Sequence, residues 1–506
     1  MTGSPRRIAI VGGGIAGIAC SWELRKHSAR NVRVDIYESE SKLGGHANSV
    51  PFKGNGTSVD VDTGFIVMDE ATYPRFNTFL GDLGIKTIPT DMSFGVTTTD
   101  KTFEWSSRSM GSFVATLTLL LSPWVWRLIF DIVRFSLFAE DILYERGTTP
   151  RRGEEESCPM STPLESIGSY LIRQGYSSQF TTYFLIPMVA APWCIDPDEF
   201  SRSFPARPLI HFMKTHGLLD TATKALQWRS FRNGSRTYID AFQDSLPQGH
   251  NLHLNTSVHE VTRIGNEVLV SFSDGSAKTF DHVVLAVHAN QAVTLLGENA
   301  TALERRILGS FKTSRNLCYL HSDTSLLPER SSARAAWNCM LVPHQSTTAQ
   351  DHLTQNEHKC GRKLSLTFDM NKLQDIPSPG EPGSPGRVLV SMNPIHVPCS
   401  VQSSHVYYHP IINSECILMA RHLHRINGIN NISFAGAWMG FGFHEDGFVA
   451  GVHAARTFMD GWDKIPPLDL IGDTKDMRPP RTGFLRAVLR LGVLVMQQLL
   501  HPQPWL

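Results

Sequence analysis

Apolar runs, each followed by a glycine-rich loop or a helical pattern, recur near both ends of the chain and in its middle. The run RIAIV at residues 7–11 predicts a buried strand, and the positions after it have the spacing of a helix. A second strand is predicted at residues 32–38, and residues 280–296 predict a strand, a loop and a helix. Residues 431–438 predict another strand, and a helical pattern follows at residues 445–459. Strands that alternate with helices predict an α/β fold with a parallel sheet.

The loop after the first predicted strand carries the spacing G-x-G-x-x-G. Such glycines allow a tight turn, let a pyrophosphate approach the main chain and let the next helix pack on the sheet. The second strand ends in Glu38, an acid suited to binding a ribose hydroxyl. A dinucleotide site is therefore predicted, against the alternative of a tight turn without a ligand. The loop residues predicted to bind the cofactor are Gly12, Gly14, Ile15, Ala16 and Gly17.

Composition gives no indication of a nucleic-acid-binding or metal-binding protein. The 506 residues carry a formal net charge of zero, which gives no indication of a nucleic-acid partner. The chain is long enough for two or more domains. Its eight cysteines form no C-x-x-C pair and no zinc-ligand spacing, so no metal is expected. No signal peptide precedes the first strand, and the cysteine pattern favours a reduced, cytoplasmic protein.

Two further motifs follow the second strand. Residues 44–46, GGH, offer bare main chain and a polar side chain beside the same phosphates. Residues 62–65, DTGF, are typical of a strand whose last glycine lets a flat ring lie against the main chain. The series of motifs resembles that of the FAD-dependent amine oxidase and phytoene desaturase superfamily. The segments GGHANSV, PTDMSFGV and GFHEDG most resemble those of predicted FAD-binding oxidoreductases related to the N-terminal region of plant cyclopropane fatty-acid synthases.

This resemblance implies an amine-oxidase-like fold, α/β in its cofactor domain and α+β overall. A Rossmann-like FAD-binding domain would be assembled from residues 1–65, 231–300 and 425–460. A mixed substrate domain would comprise residues 66–230 and 301–424, and residues 461–506 would form a tail with an apolar helix.

The resemblance also implies which other residues bind FAD. The second glycine loop, near the C-terminus, would complete the site, and its helix amides would stabilise negative charge on the reduced flavin. An ordinary helix N-cap by Asp446 is the alternative. Many relatives have an acid where this chain has Ala437, which puts one ribityl hydrogen bond in doubt. The implied cofactor-binding residues outside the first loop are Glu38, Gly44, Gly45, His46, Gly64, Phe65, Val258, Gly436, Ala437, Glu445, Asp446 and Gly447.

Hydride transfer to a flavin needs positioning and a sealed apolar site more than an acid–base motif. His444 is the candidate for a side chain near the flavin, and a helix N-terminus would favour its neutral form. Lys372 is a second candidate, because related oxidases keep a lysine near flavin N5. For both, and for each aromatic residue, structural packing is the alternative. The aromatic residues predicted to line a substrate cavity are Trp193, Trp337, Tyr407, Tyr408 and Trp438.

The predicted function is dehydrogenation or oxidation of a small hydrophobic substrate of acyl, polyketide or isoprenoid type. FAD is expected to be noncovalent, because no cysteine stands in the flavin-facing motifs. A second G-x-G-x-x-G with a preceding strand does not occur, so the reduced flavin is expected to pass its electrons to oxygen or another acceptor, or to return them to the substrate. Two alternatives stay open: a flavin amine oxidase that releases peroxide, and a non-catalytic accessory protein that keeps the FAD fold.

Two apolar stretches raise the question of a membrane. Residues 112–138 contain Arg127, Asp131 and Arg134 on one helical face, so an amphipathic helix is expected rather than a spanning one. Residues 481–500 form an apolar block interrupted by arginines. This block could be an interfacial anchor, a lid or a helix docked on its own domain. Peripheral contact with an intracellular membrane through this C-terminal helix is therefore one of the predicted arrangements.

Overall fold

The computed structural model describes residues 5–25, 32–101, 103–108, 122–145, 164–219, 227–342, 363–460 and 483–500. The strands within these residues are β1 (Arg6–Val11), β2 (Val32–Tyr37), β3 (Ser49–Gly54), β4 (Thr57–Asp62), β5 (Met68–Asp69), β6 (Ile88–Pro89), β7 (Phe94–Thr98), β8 (Glu104–Ser106), β9 (Trp228–Ser230), β10 (His250–His253), β11 (Val258–Ile264), β12 (Glu267–Phe272), β13 (Ala277–Phe280), β14 (His282–Leu285), β15 (Lys312–His321), β16 (Trp337–Leu341), β17 (Leu364–Asp369), β18 (Leu389–Met392), β19 (Ser403–Ile411) and β20 (Ile432–Phe434).

The α-helices in the same residues are α1 (Ile15–Leu24), α2 (Pro74–Asp82), α3 (Pro123–Phe138), α4 (Ile167–Arg173), α5 (Ser178–Phe180), α6 (Ile186–Ala190), α7 (Pro197–Ser203), α8 (Ala206–Thr215), α9 (Arg236–Asp244), α10 (Ala289–Leu296), α11 (Ala302–Leu308), α12 (Met370–Leu373), α13 (Ser414–Ala420), α14 (His444–Asp460) and α15 (Phe484–Leu500). A π-helical turn, Thr181–Leu185, joins α5 to α6. Short 3₁₀ turns lie at Ala139–Leu143, Ala191–Trp193, Gly297–Asn299, Thr324–Leu326, Ser331–Ala333, Leu423–Arg425, Ile429–Asn431 and Ala437–Met439.

A parallel five-stranded sheet brings together distant parts of the chain. Its strand order is β10-β2-β1-β14-β20, and every neighbouring pair is parallel. The central strand β1 pairs Ile8 with Val34 on one side and with His282 on the other. Ile8 and Val34 are fully buried, as expected for a parallel strand with both faces covered. The predicted α/β fold is confirmed.

A second, mixed sheet of seven strands has the order β19-β15-β18-β17-β16-β7-β8. Its pairs are antiparallel except for β16 and β7, which run parallel. β16, β17 and β7 are buried along their whole length. Its strands come from two separate parts of the sequence, β7 and β8 from the first and β15 to β19 from the second.

The first and last long helices of the main body pack side by side. A Cβ on Gly451 of α14 would lie 2.1 Å from the carbonyl oxygen of Ala16 in α1, and one on Gly447 would lie 2.7 Å from Ile15. Only residues without a side chain permit so close an approach of two helices. As a result, the loop before α1 and the loop before α14 open next to each other, although more than four hundred residues separate them.

Candidate functional site

The loop between β1 and α1 places three glycines in three different environments. A Cβ on Gly12, whose φ is +106°, would lie 2.5 Å from the carbonyl oxygen of Ala286. A Cβ on Gly17 would lie 2.0 Å from the carbonyl oxygen of Gly12. A Cβ on Gly14 would meet no atom within 4 Å. Gly12 and Gly17 therefore serve main-chain packing, while Gly14 leaves an open space in front of the helix.

Glu38 lies at the edge of this space. Its Oε2 accepts a hydrogen bond from the amide of Gly13 at 2.7 Å, and its Oε1 accepts one from the amide of Glu40 at 2.9 Å. The carboxylate is thus fixed between the first loop and the end of β2. Beside it, the amide of Gly44 donates to the carbonyl of Gly13 at 2.9 Å, which holds the GGH segment against the first loop.

A cavity of about 1220 Å³ extends from this loop to the seven-stranded sheet. The first loop, Glu38 and the GGH segment line one end of it, and aromatic and aliphatic side chains line the other. Most of the predicted cofactor and cavity residues line this cavity: Gly12, Gly14, Ile15, Ala16, Glu38, Gly44, Gly45, His46, Gly64, Phe65, Trp193, Val258, Trp337, Tyr408, Gly436, Ala437, Trp438 and His444.

The loop before α14 lines the same cavity with different residues from those expected. Gly436 to Trp438 and Gly442 to His444 contribute to the wall, whereas Glu445, Asp446 and Gly447 do not. The Glu445 carboxylate accepts hydrogen bonds from the amides of Arg75 and Phe76 at 3.0 and 2.9 Å, at the start of α2.

Asp446 turns back onto its own loop. Its Oδ2 accepts a hydrogen bond from the amide of Phe443 at 2.8 Å. Burial raises the pKa of its carboxyl to about 7, against the opposing effect of the Phe443 amide. The alternative role, a cap for the loop and the helix start, therefore describes Asp446 better than direct contact with a ligand. Gly447 packs against Ile15, and Gly17 lies behind the cavity wall because it packs on Gly12.

His444 lies in the cavity wall with its ring held on two sides. The ring stacks on Phe65 at 3.6 Å with an interplanar angle of 2°, and Nε2 is 2.9 Å from the hydroxyl of Tyr238. Burial lowers its pKa to about 3, so the imidazole is neutral. The direction agrees with the sequence-based expectation, and burial is its cause.

The aromatic candidates divide by what their polar atoms bind. Trp193 donates its indole N–H to the carbonyl of Phe441 at 2.7 Å, and Trp438 donates to the carbonyl of Val287 at 3.0 Å. Tyr408 lines the cavity and is 43% exposed. Tyr407 does not line it: its hydroxyl is 2.6 Å from Thr63 Oγ1 and accepts from Asn48 at 2.9 Å. Alternation along β19 turns Tyr407 into the core, so its place in the predicted cavity is corrected.

Lys372 lies away from the cavity wall, which corrects its place in the predicted site. Its ammonium donates to the carbonyl of Arg334 at 2.9 Å and lies 3.8 Å from a carboxylate oxygen of Asp369. Burial lowers its pKa, and Asp369 opposes that change. These contacts give Lys372 the structural role that was the alternative.

Two further cavity histidines were not among the predicted cofactor-binding or catalytic residues, although the sequence made His409 a candidate for cavity lining. His288 and His409 line the cavity close to His46, whose ring centroid is 6.0 Å and 5.4 Å from theirs. Burial lowers the pKa of all three imidazoles, and the neighbouring rings lower that of His46 further. The histidines come from segments far apart in the chain, so only the folded arrangement reveals the cluster. Among the described residues, no group of His, Cys, Asp and Glu is arranged to hold a metal ion.

The geometry at Gly14 fits the pyrophosphate of FAD. α1 begins at the cavity with no side-chain cap at Gly14 and with no acid in its first turn, so its first amides remain available to an anion. The open space at the Cβ position of Gly14 lets a bulky group approach the main chain. The cavity exceeds the size of an ordinary ligand pocket, roughly 300–1,000 Å³, which leaves room for a substrate beside a cofactor.

The molecule combines a parallel sheet, a glycine loop at the carboxyl end of its central strand and a second glycine loop from the C-terminal part. This combination defines an FAD-dependent oxidoreductase of amine-oxidase-like fold. The chain belongs to the flavin containing amine oxidoreductase family, whose sequence pattern matches residues 15–311. FAD is the cofactor of this family.

Curated relatives match over limited segments. Prenylcysteine oxidase 1 from Mus musculus is 29% identical over 139 residues, which are 28% of this chain and 25% of that protein. Carotenoid phi-ring synthase from Streptomyces griseus is 45% identical over 65 residues, 13% of this chain and 12% of that protein. Protoporphyrinogen oxidase 2 from Arabidopsis thaliana is 23% identical over 215 residues, 40% and 36% of the two chains. The chain thus spans between about an eighth and about a third of the length of these relatives.

Solved structures match over nearly the whole length. The fatty acid isomerase from P. acnes that produces CLA superposes with a TM-score of 0.60 at 14% identity, over 90% of this chain and 98% of that one. Cyclohexylamine oxidase from Brevibacterium oxydans superposes with a TM-score of 0.60 at 13% identity, over 91% and 100%. At such identities the likeness establishes the fold alone.

Proposed function

We propose that this chain dehydrogenates a small hydrophobic substrate and that FAD, bound without a covalent link, accepts the hydride. The observation that carries the proposal is one continuous cavity that joins both glycine loops to an apolar chamber. The chamber walls include Phe184, Met188, Phe212 and Trp337. A site of this kind binds its substrate by burial of apolar surface and excludes water from the reacting bond.

Bound FAD supplies a two-electron acceptor, and the protein supplies binding and orientation. The first loop and the start of α1 would hold the pyrophosphate, and Glu38 would bind a ribose hydroxyl. Phe65 and His444, stacked on each other, would form a rigid part of the wall near the ring system. Trp193, Phe212 and Phe443 pack together and would restrict the substrate to one orientation.

We propose the same residue ranges for the two domains as the sequence predicts, with residues 1–65, 231–300 and 425–460 around FAD and residues 66–230 and 301–424 around the substrate. The five-stranded sheet draws its strands from the first set of ranges, and the seven-stranded sheet draws its strands from the second. This division supports a site at the boundary, where the cavity lies.

An acyl chain, a polyketide or an isoprenoid is the proposed class of substrate. Prenylcysteine oxidase and carotenoid phi-ring synthase carry in their names a prenyl group and a carotenoid, both hydrophobic. The sequences of the motifs, such as GGHANSV and GFHEDG, also support membership of the branch related to the N-terminal region of plant cyclopropane fatty-acid synthases. A lipid-like substrate would fit that branch. Oxygen or another acceptor would then reoxidise the flavin.

Amine oxidation is less well supported by the wall residues. An aromatic pair in front of the flavin would need Trp438 with Tyr407 or Tyr408. Among the described rings, Trp438 packs on Phe311 at 4.6 Å instead, and the Tyr407 hydroxyl is bound to Thr63 and Asn48. An accessory protein without catalysis would need no apolar chamber that opens to the cofactor loops.

The decisive experiment uses the yellow holoprotein under anaerobic conditions. Organic extracts from a strain that lacks the gene and from its parent are mixed with the protein, and the flavin absorbance is followed. We expect the extract of the deletion strain to bleach the flavin faster, because the unreacted substrate accumulates there. Equal and slow bleaching by both extracts, with normal photoreduction of the flavin, would support the accessory alternative. Peroxide release with simple amines would support amine oxidation.

We also propose peripheral contact with a membrane through α15. Arg486 binds Glu140, and Arg490 binds Asp141, so ion pairs dock the helix on the 3₁₀ turn that follows α3. Its other sides are apolar and exposed, with Phe484 at 87% and Leu491 at 64%. Such a helix suits the boundary between head groups and acyl chains. In the described part of the chain, no helix is long and apolar enough to cross a bilayer.

Vesicle flotation with phosphatidylcholine tests this contact. We expect the protein to float with the vesicles and the variant Leu491→Glu to lose most of that binding. Gln498→Glu adds the same charge to the same helix without removing an apolar side chain, so it should bind nearly as the parent does. Equal binding by both variants, or no binding by the parent protein, would contradict the proposed contact.

A further inference from the structure

His409 lies between the GGH segment, which is held against the first glycine loop, and the second glycine loop. Its ring centroid is 5.4 Å from that of His46 in the GGH segment. The next residue, Pro410, touches the second loop so closely that a Cβ on Gly442 would lie 2.5 Å from it. A side chain at this position faces the part of the cavity that both loops enclose.

Two asparagines fix the protonation of this imidazole. Asn316 donates its side-chain amide to Nδ1 of His409 at 2.8 Å. The orientation of the Asn316 amide follows from its own partners, because its Oδ1 accepts from Asn393 at 2.7 Å. An imidazole nitrogen that accepts a hydrogen bond carries no proton, so the proton of the neutral ring lies on Nε2. Burial lowers the pKa of His409 to about 4, which keeps the ring neutral at physiological pH.

The Nε2 atom has no acceptor within the described residues, although the ring lines the cavity. The buried His321 differs in this respect. His321, also in the seven-stranded sheet, has Nε2 at 2.8 Å from Ser391 Oγ and Nδ1 bonded to the amide of Asp323. Both nitrogens of His321 are therefore used within the protein, whereas His409 presents a polarised N–H to the cavity.

We propose that His409, through Nε2–H, donates a hydrogen bond to an acceptor atom of the FAD bound in this cavity, and that Asn316 and Asn393 are positioning residues that hold this tautomer. The inference rests on the proposed placement of FAD. A neutral donor held in a water-poor site favours the more electron-rich, reduced cofactor. His409 would in this way raise the flavin midpoint potential without taking part in proton transfer.

The test compares flavin properties in the absence of any substrate, so that it does not depend on the proposed reaction. The variants are His409→Phe, which lacks the donor, His409→Gln, which keeps an N–H donor, and Asn316→Leu, which releases the tautomer. His321→Gln is the matched control from the same sheet. We expect a lower midpoint potential and a shifted flavin absorption band in His409→Phe, a smaller change in Asn316→Leu, and near-parental values in His409→Gln and His321→Gln.

A parental potential in both His409→Phe and Asn316→Leu, with FAD bound, would overturn the proposal. If His409→Phe fails to fold, the tautomer of His409 can still be measured in the unaltered holoprotein. With ¹⁵N-histidine labelling, the signal lost in His409→Gln identifies His409, and its two nitrogen shifts report the tautomer. A proton on Nε2 agrees with the proposal, and a proton on Nδ1 contradicts it. Failure of this test would leave the bleaching experiment with deletion-strain extract unaffected.

Discussion

The two glycine loops line one cavity but use their glycines in different ways. In the first loop, carbonyl oxygens of the main chain occupy the space that a side chain on Gly12 or Gly17 would need. These oxygens could move only if the strand or the helix moved with them. In the second loop, Gly436 faces the indole of Trp438, and Gly440 faces the carboxylate of Asp446. The first loop is thus defined by main-chain packing, and the second by side chains that fold back onto it. Gly14 alone among these glycines has an open space where a side chain would be.

The largest expected effect concerns the first loop. Gly17→Ala would place a Cβ 2.0 Å from the carbonyl oxygen of Gly12, and main chain cannot yield there. We expect a loss of stability of about 3 kcal/mol or more, at or beyond the upper end of ordinary overpacking. Urea unfolding of the apoprotein measures it. Gly81→Ala, in helix α2 with no atom within 4 Å of its Cβ, is the control and should gain up to about 1 kcal/mol. Equal stability of the two variants would remove the basis of the comparison.

The second loop should respond to pH through Asp446. Its pKa in the folded protein is raised to about 7, and in the unfolded chain it is about 3.9. The folded state therefore binds more protons between these values, and stability from this group decreases as the pH rises from about 4 to about 7. Asp446→Asn removes the titration, so the free energy of unfolding of the parent should fall relative to the variant over this window. A constant difference between the two proteins would contradict the burial of this carboxyl.

A smaller effect is expected at the wall that the two loops share. Tyr238→Phe removes the hydroxyl that lies 2.9 Å from Nε2 of His444. A buried neutral hydrogen bond contributes about 1 kcal/mol, and the imidazole left without a partner raises the cost toward about 2 kcal/mol. Thermal unfolding measures the change. Tyr319→Phe, on β15 away from this wall, should leave the stability nearly unchanged. A similar loss of stability in this control would show that the effect of Tyr238→Phe does not come from the contact with His444.

The same contrast explains what the sequence could predict. The first loop follows from local spacing, since glycines at fixed offsets between a strand and a helix leave few conformations. The second loop was predicted to form a wall of the cofactor site, and its residues Gly436 and His444 line the cavity. The contacts of two of its residues differ from those expected: Glu445 binds the amides of Arg75 and Phe76, which tertiary packing brings to it, and Asp446 binds the amide of Phe443 within its own loop.

Residues brought in by strand pairing were harder to predict. Tyr407 and Tyr408 are neighbours, and only the register of β19 against β15 decides which one faces the core. His409 could be predicted to line a cavity, but its contact with Asn316, which lies opposite Tyr407 in the same strand pair, is set by this register. Lys372 was chosen by likeness to other oxidases, and its surroundings in this chain are a carboxylate and a carbonyl instead. The roles of the cavity residues in FAD binding stay predictions.

The most direct test of the account is the affinity of apoprotein for FAD in Gly14→Leu. The new side chain would project into the open space before α1, where the pyrophosphate is proposed to bind, and would contact no other part of the described wall at its Cβ. We expect the apoprotein to unfold like the parent. The loss of two charge-assisted hydrogen bonds, about 3 kcal/mol, would weaken FAD binding by more than about 100-fold. Gly81→Leu, at an exposed position of α2, should bind FAD as the parent does. Parental FAD affinity in a well-folded Gly14→Leu protein would show that the cofactor does not bind at this loop.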